Sequence, residues 1–352
     1  MKKWAVVECE QPLQCIESED LVPKGKEVLL EVTHCGVCHS DLHTWKGYFD
    51  MGGGQIMKIT ERGVKLPCAP GHEIVGKVIA MGADAKGVAI GDRRIIYPWM
   101  GCGKCELCLS DRENMCYTPT SLGIYRDGGF ASQVIVPSAD YLVDYGDIDP
   151  ALASTFACSG ITVYSAIKKL FPLDPQKPLL LVGAGGLGLT AIAMLRALGY
   201  DNLISVDISA DKRQAALNAG ARYALDGSLA NAVEAITAAA GGPLQAAIDF
   251  VNVKQTASVA LECLVKGGKL VLVGVGGGDM MLSLPSLIFR PRSIIGTITG
   301  SKQDLRDVVA LAQSGKLAPL PVTRMPKDQA NEAMALLKSG QVTGRLVLEE
   351  SP

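Results

Sequence analysis

Two textures of apolar patterning divide the chain. From about residue 178, short unbroken apolar runs alternate with longer Ala-rich stretches of helical period. Leu179-Leu180-Leu181-Val182 and Leu203-Ile204-Ser205-Val206 have the pattern of buried strands, with helices expected over Leu187 to Leu198 and Ala210 to Ala219. Ala246 to Val251 and Lys269 to Val275 supply further strands, separated by a helical stretch near Thr256 to Val265. Such alternation predicts a parallel sheet with helices on both faces. Earlier in the chain, shorter strand-like runs (Glu27 to Thr33, Glu73 to Met81, Phe130 to Val136) sit between Gly/Pro turns, an antiparallel and barrel-like pattern. Ser293 to Gly300 fits either an edge strand or an internal one, and the remaining C-terminal residues return to mixed strands and helices. Two domains with a ligand cleft between them are expected.

Composition narrows the function class. Lys plus Arg is 34 against 36 for Asp plus Glu, a net charge of −2, without the basic surplus of a nucleic-acid binder. Hydrophobic residues at 48% and charged residues at 20% are enough for full cores. No membrane span and no signal-peptide core stand out, so the eleven cysteines point to metal binding or catalysis in a cytoplasmic protein rather than to a secreted disulfide scaffold.

The cysteines and histidines are clustered: all four histidines precede residue 73, and nine of the eleven cysteines precede residue 117. Cys102, Cys105, Cys108 and Cys116 form C-x2-C-x2-C-x7-C. Four thiolates on a short Gly-containing loop can enclose one Zn²⁺, leaving no position for substrate, so the expected role is structural. An iron–sulfur cluster is the competing reading, since spacing alone does not fix the metal. A second, dispersed set comprises Cys38, His39, Ser40, Asp41 and His43, then His72 and Glu73, then Cys158. Taken singly, Cys158 reads as a small core residue and His72 as a turn histidine; Cys35-x-x-Cys38 has the spacing of a redox pair but lies outside any thioredoxin-like βαβ pattern.

Gly183-Ala-Gly185-Gly186-Leu187-Gly188 fits G-x-G-x-x-G between an expected strand and an expected helix, the context that makes the motif a dinucleotide site. Gly183 permits the turn, Gly185 lets the backbone approach a pyrophosphate, and Gly188 lets helix pack on strand. The helix N-terminus favours the phosphate charge. Asp207, at the end of the next strand, suits the ribose hydroxyls and repels a 2′-phosphate, favouring NAD over NADP; its alternative role is to cap the helix starting near Ser209. Lys212 is a further candidate contact to the adenosine ribose.

The ordered series GVCHSDLH, GHEIVG, the four-cysteine loop, ACSGITVYSA and VGAGGLG resembles the zinc-dependent alcohol dehydrogenases of the medium-chain dehydrogenase/reductase superfamily, over essentially the whole chain and with the microbial members closest. The resemblance implies a Rossmann doubly wound parallel sheet with a GroES-like β-rich catalytic domain: residues 1–155 catalytic, 156–293 NAD-binding, and 294–352 returning to the catalytic domain. It makes Cys38, His72 and Cys158 ligands of a catalytic zinc, with Glu73 near the metal and Asp41 orienting the ligating histidine. Ser40 and His43 match the proton relay, His39 and Arg345 match contacts to the cofactor pyrophosphate, and Thr162 matches a residue near the nicotinamide.

Two zinc ions per chain, NAD, a small alcohol and its aldehyde or ketone, and a homotetramer without nucleic-acid or membrane partners are therefore expected. A zinc-dependent polyol dehydrogenase is the neighbouring alternative, although those enzymes commonly place a carboxylate where Cys158 stands. The stretch Gly47 to Lys65 lengthens the distance between Cys38 and His72 to 34 positions. A similar loop in microbial members acting on medium-chain, cyclic or ω-hydroxy-acid alcohols suggests a part of the substrate channel; a surface excursion is the other reading. Trp45, Phe49, Tyr97 and Trp99 are aromatic candidates for a channel wall or for simple packing.

Overall fold

The structure, a computed structural model, describes residues 1–350. Six strands form a wholly parallel sheet in the order Tyr223–Leu225, Leu203–Val206, Leu179–Val182, Leu244–Asp249, Leu264–Leu272 and Ser293–Gly296. In order of appearance this is 3-2-1-4-5-6, the doubly wound Rossmann order. Period-two alternation sends Leu179 and Leu181 into one core and Leu180 and Val182 into the other, which explains the unbroken apolar runs. Among the described residues Ser293–Gly296 pairs only with Lys269 to Leu272, so it is an edge strand. The sheet runs to Gly296, and the expected domain boundary after 293 falls inside this last strand.

The other half is a seven-stranded sheet built from both ends of the chain. Its central strand, Val28–Val37, pairs along one edge with Glu73–Met81. Along the other edge it pairs with Gln133–Val136 and with Arg345–Glu349 from the C-terminus. These pairings are antiparallel, and the strand Val28–Val37 continues into the site residues at Cys38. The run from Pro150 to Leu170 is long and apolar, and 78% of its most apolar window is buried inside the protein, so it is a core element. It consists of the α-helix Pro150–Thr155, a π-helical turn Phe156–Gly160 and the α-helix Ile161–Leu170. One continuous core joins Val75, Ile95 and Tyr97 of the β-rich half to Leu179, Ile248 and Val271 of the parallel sheet, with this run between them.

Candidate active site and metal centres

Three separated segments converge at Cys38, His72 and Cys158. Cys38 caps the helix His39–Lys46, and Asp41 in its first turn is fully buried. Asp41 Oδ2 accepts from the Cys38 N–H at 2.8 Å, while Oδ1 accepts from the Gly71 N–H at 2.8 Å and lies 3.2 Å from His72 Nδ1. One carboxylate thus fixes two ligand-bearing segments and engages one imidazole nitrogen, leaving Nε2 for a metal. Among the described residues neither ring nitrogen has a hydrogen-bond partner, but Nδ1 faces Asp41 at 3.2 Å and Nε2 faces no carboxylate. Cys158 sits in the π-helical turn, a local widening of the helix often found at functional sites. Its Sγ lies 4.0 Å from that of Cys38, and the three ligand atoms lie within 4.8 Å of one another. Tetrahedral sulfur ligands at 2.3 Å from zinc stand about 3.8 Å apart, so the residues fit the ion. The Cys158 thiol is the main cause holding Cys38 well below its ordinary pKa; burial opposes, and His72 and Arg345 assist. Cys35 has no part in this cluster: it is fully buried in its strand, and its thiol turns to the Gly36 carbonyl, which removes the redox-pair reading.

Glu73 closes the back of the site. Its Oε1 accepts from the Ser159 N–H at 3.1 Å and its Oε2 from Arg345 at 2.5 Å. Burial pushes the Glu73 carboxyl up and the Arg345 guanidinium opposes that shift. A side chain at Gly36 would place its Cβ 2.0 Å from Glu73 Oε2, so the strand must carry glycine there. Arg345, which the resemblance set beside a pyrophosphate, makes a second contact here: one guanidinium nitrogen holds Glu73, while another lies 3.0 Å from the position a Cβ on Gly186 would take, at the start of the nucleotide helix.

The second cluster is local. Cys105 Sγ lies 3.4 Å from Cys108 and 3.7 Å from Cys116, and Cys102 Sγ lies 4.0 Å from Cys108. These separations match a four-sulfur zinc cage. Main-chain N–H groups of Cys102 and Thr118 donate to Cys116 Sγ, each at 3.4 Å. Amides of Lys104 and Cys105, with the Thr118 hydroxyl, bring the Cys102 thiol down to about 6. Buried Glu113 ties this lobe to distant parts of the chain: it accepts from Tyr141 Oη and from Lys302 Nζ, both at 2.8 Å.

The glycine loop follows Leu179–Val182 and leads into the helix Gly186–Ala197. Gly183 has φ +93°, and a Cβ on Gly188 would lie 1.9 Å from its carbonyl oxygen; at Gly185 a Cβ would meet nothing within 4 Å, open room beside the helix start. Asp207 follows Leu203–Val206, and its carboxylate accepts from Ala184 N–H at 2.8 Å and Ser209 N–H at 2.9 Å. Ser209, not Asp207, caps the following helix. Lys212 and Arg345 both push the His39 pKa down, after burial, so the three share one electrostatic neighbourhood. Thr162 is buried and its Oγ1 has no partner, an unsatisfied group of the kind a bound cofactor would complete. The chain therefore fits a dinucleotide as well as the two metals.

Ser40 and His43 lie on one short helix beside Cys38, and His43 stacks on Phe49 with ring centroids 4.7 Å apart. The aromatic candidates separate. Trp99 lies 5.2 Å from the His72 ring and donates to the Ala157 carbonyl at 2.8 Å. Tyr97 is fully buried, with its hydroxyl on the Gly300 carbonyl, and Trp45 bonds the Gln11 carbonyl under Lys338; both are packing residues. Sequence reasoning missed the requirement for Gly36 and the Glu73–Ser159 link, for which no local spacing signals.

Family comparisons agree with this geometry. The alcohol dehydrogenase GroES-like domain family matches residues 24–147, and the zinc-binding dehydrogenase family matches residues 186–314. An NAD-dependent alcohol dehydrogenase of Saccharolobus solfataricus is 37% identical, with 99% of each chain covered. An alcohol dehydrogenase of Geobacillus stearothermophilus is 33% identical over 99% of each chain. The solved alcohol dehydrogenase of Aeropyrum pernix superposes with a TM-score of 0.90 at 28% identity, covering 99% of this chain and 100% of that one. The chain belongs to the zinc-dependent alcohol dehydrogenases of the medium-chain dehydrogenase/reductase superfamily. The polyol alternative is not favoured: these relatives are named alcohol dehydrogenases, and a thiol occupies position 158.

Proposed function

We propose that Cys38, His72 and Cys158 hold a catalytic zinc and that Cys102, Cys105, Cys108 and Cys116 hold a structural one. The protein is an oxidoreductase that interconverts an alcohol and its aldehyde or ketone with NAD. The observation that carries this reading is the meeting of two thiols and an unpartnered buried imidazole nitrogen, supplied by three separated segments. Bound there, zinc supplies Lewis acidity, which for water lowers the pKa from about 15.7 to ~7. NAD supplies the hydride acceptor.

The chain's own residues do the rest. Asp41 holds the imidazole and the Cys38 segment in register, and the Glu73–Arg345 pair fixes the turn that carries Cys158. Ser40 passes the alcohol proton towards His43; it acts as a conduit because a serine hydroxyl is itself too weak an acid and base to hold the proton near neutral pH. His43 accepts that proton, a task suited to a group that titrates near neutrality. Asp207 selects NAD by repelling a 2′-phosphate, Lys212 faces the adenosine ribose, Thr162 faces the nicotinamide, and His39 with Arg345 faces the pyrophosphate.

A homotetramer is the assembly we propose. Its support is the free edge of Ser293–Gly296 together with exposed Leu284, Ile288 and Phe289 just before it, an apolar surface that a second copy would cover. Sedimentation equilibrium checks it, and a monomer or a dimer at micromolar concentration rejects it. We also assign the protein to the cytoplasm, on the strength of its unpaired cysteines. The activity itself is tested by mixing purified protein with NAD and a panel of linear, secondary, cyclic and ω-carboxylated alcohols. Reduced nicotinamide forming with at least one of them is the expected result, and none forming with zinc-replete protein overturns the reading.

A further inference from the structure

The stretch Gly47 to Lys65 folds as a hairpin of Tyr48–Gly52 and Gln55–Lys58, followed by a 3-10 turn Ile59–Arg62. A two-stranded ribbon is marginal by itself. This one has little core of its own: Met51 and Ile56 are exposed. It is held instead at two points. At its base, Phe49 packs against the His43 ring, stacked at 4.7 Å with an interplanar angle of 22°, and against the Arg62 guanidinium, 5.2 Å from the ring centroid. At its tip, the hairpin meets Gly277, Gly278 and Asp279, in the loop after the parallel strand Leu264–Leu272.

That seam is built of glycine on both sides. Gly52 has φ +81°, and a Cβ there would lie 2.9 Å from the carbonyl carbon and oxygen of Gly278 and from Asp279 Cβ. A Cβ on Gly277 would lie 2.7 Å from Asp50 Cβ. The hairpin leaves the β-rich half beside the relay histidine and lands on the nucleotide half, so it crosses the cleft.

We propose that Phe49 is a positioning residue for His43, and that the hairpin is a strap whose glycine seam makes the alignment of His43 depend on how closely the two halves approach. The inference rests on His43 being the proton relay. The ring of Phe49 against one face restricts the imidazole of His43, which shares its helix with Ser40, three residues earlier. If the seam parts, the strap swings, Phe49 leaves, and the imidazole gains rotational freedom that proton transfer must then overcome.

Zinc-loaded, full-length variants test this by steady-state oxidation of one alcohol. Phe49→Leu is expected to lower kcat about tenfold while the KM for NAD stays within about twofold, and Phe49→Tyr, which keeps the stacked ring, recovers the parent rate. In a His43→Gln background, Phe49→Leu is expected to cost nothing more, because the residue it positions is already gone. Gly52→Ala, at a residue named for neither zinc nor cofactor, is expected to lower kcat in the same direction by wedging the seam. An unchanged kcat in Phe49→Leu, or a loss of equal size in the His43→Gln background, overturns the positioning role while leaving the relay intact. A His43→Gln protein with the parent rate overturns the relay itself. Should Phe49→Leu fail to fold, Gly52→Ala decides alone: parental kcat in that variant rejects the strap.

Discussion

The two cysteine clusters solve the same coordination problem in opposite ways. The four-sulfur cage is written within one short segment, and its sulfurs receive hydrogen bonds from main-chain amides of that same segment. The other set joins Cys38 to Cys158, 120 residues away, and is braced by hydrogen-bonding groups outside the cluster: Asp41, Glu73 and Arg345. A local cage carries its own scaffold and needs the fold little, whereas a dispersed set borrows its precision from two sheets and a helix. The closed cage has four thiols; the dispersed set has three ligands, which leaves a fourth position for chemistry.

Breaking either cluster should expose that contrast. Cys158→Ala is expected to abolish turnover while the circular dichroism stays native, and the zinc content should fall from two ions per chain to one. Full activity with one zinc, measured by elemental analysis, would remove Cys158 from the site. Cys105→Ala is expected to act on the fold instead, lowering the thermal midpoint by about 10 °C in scanning calorimetry. The prop beneath the dispersed set should matter more than anything beneath the cage: Asp41→Asn is expected to weaken binding of the catalytic zinc about 10–100-fold in a chelator competition, with the cage zinc unaffected.

Smaller effects sharpen the comparison from the cofactor side. Asp207→Ala is expected to raise the use of NADP relative to NAD by about tenfold or more, read as the ratio of kcat/KM values, because a fixed negative charge beside the extra phosphate is lost. Burial, then the charge of His39, pushes the His43 pKa below 6.5. The imidazole is therefore neutral and able to accept a proton at pH 7, and it becomes protonated, and useless as an acceptor, only on acidification past that lowered value. Alcohol oxidation should accordingly fall on an acid limb below pH 6.5. His43→Gln should lose that limb, and identical pH–rate profiles for the two proteins would contradict the assignment.

What the sequence made legible follows the same divide. The cage and the glycine loop were readable because their geometry is set by residues adjacent in the chain: C-x2-C-x2-C and G-x-G-x-x-G are short-range constraints. The parallel sheet was readable because a strand buried on both faces has no polar alternation, as Leu179–Val182 shows. Cys158 was not readable from its own surroundings. It lies in an apolar helical run, and only the π-helical turn, for which the sequence carries no local cue, turns its sulfur towards Cys38. Only resemblance to a family singled it out. The aromatics were conspicuous by scarcity, yet composition could not separate Trp99 and Phe49, which touch histidines of the site, from Trp45 and Tyr97, which do not.

The segment from Trp99 to Gly101 has one more consequence. A Cβ on Gly101 would lie 2.5 Å from Cys108 Sγ, so this backbone is pressed against the cage, and two residues earlier the Trp99 indole touches His72 and bonds the carbonyl beside Cys158. Three residues of main chain therefore link the four-cysteine cluster to the Cys38–His72–Cys158 cluster. Chelators that strip the peripheral cage are therefore expected to disturb the indole that rests on the His72 imidazole, read as a change in tryptophan fluorescence.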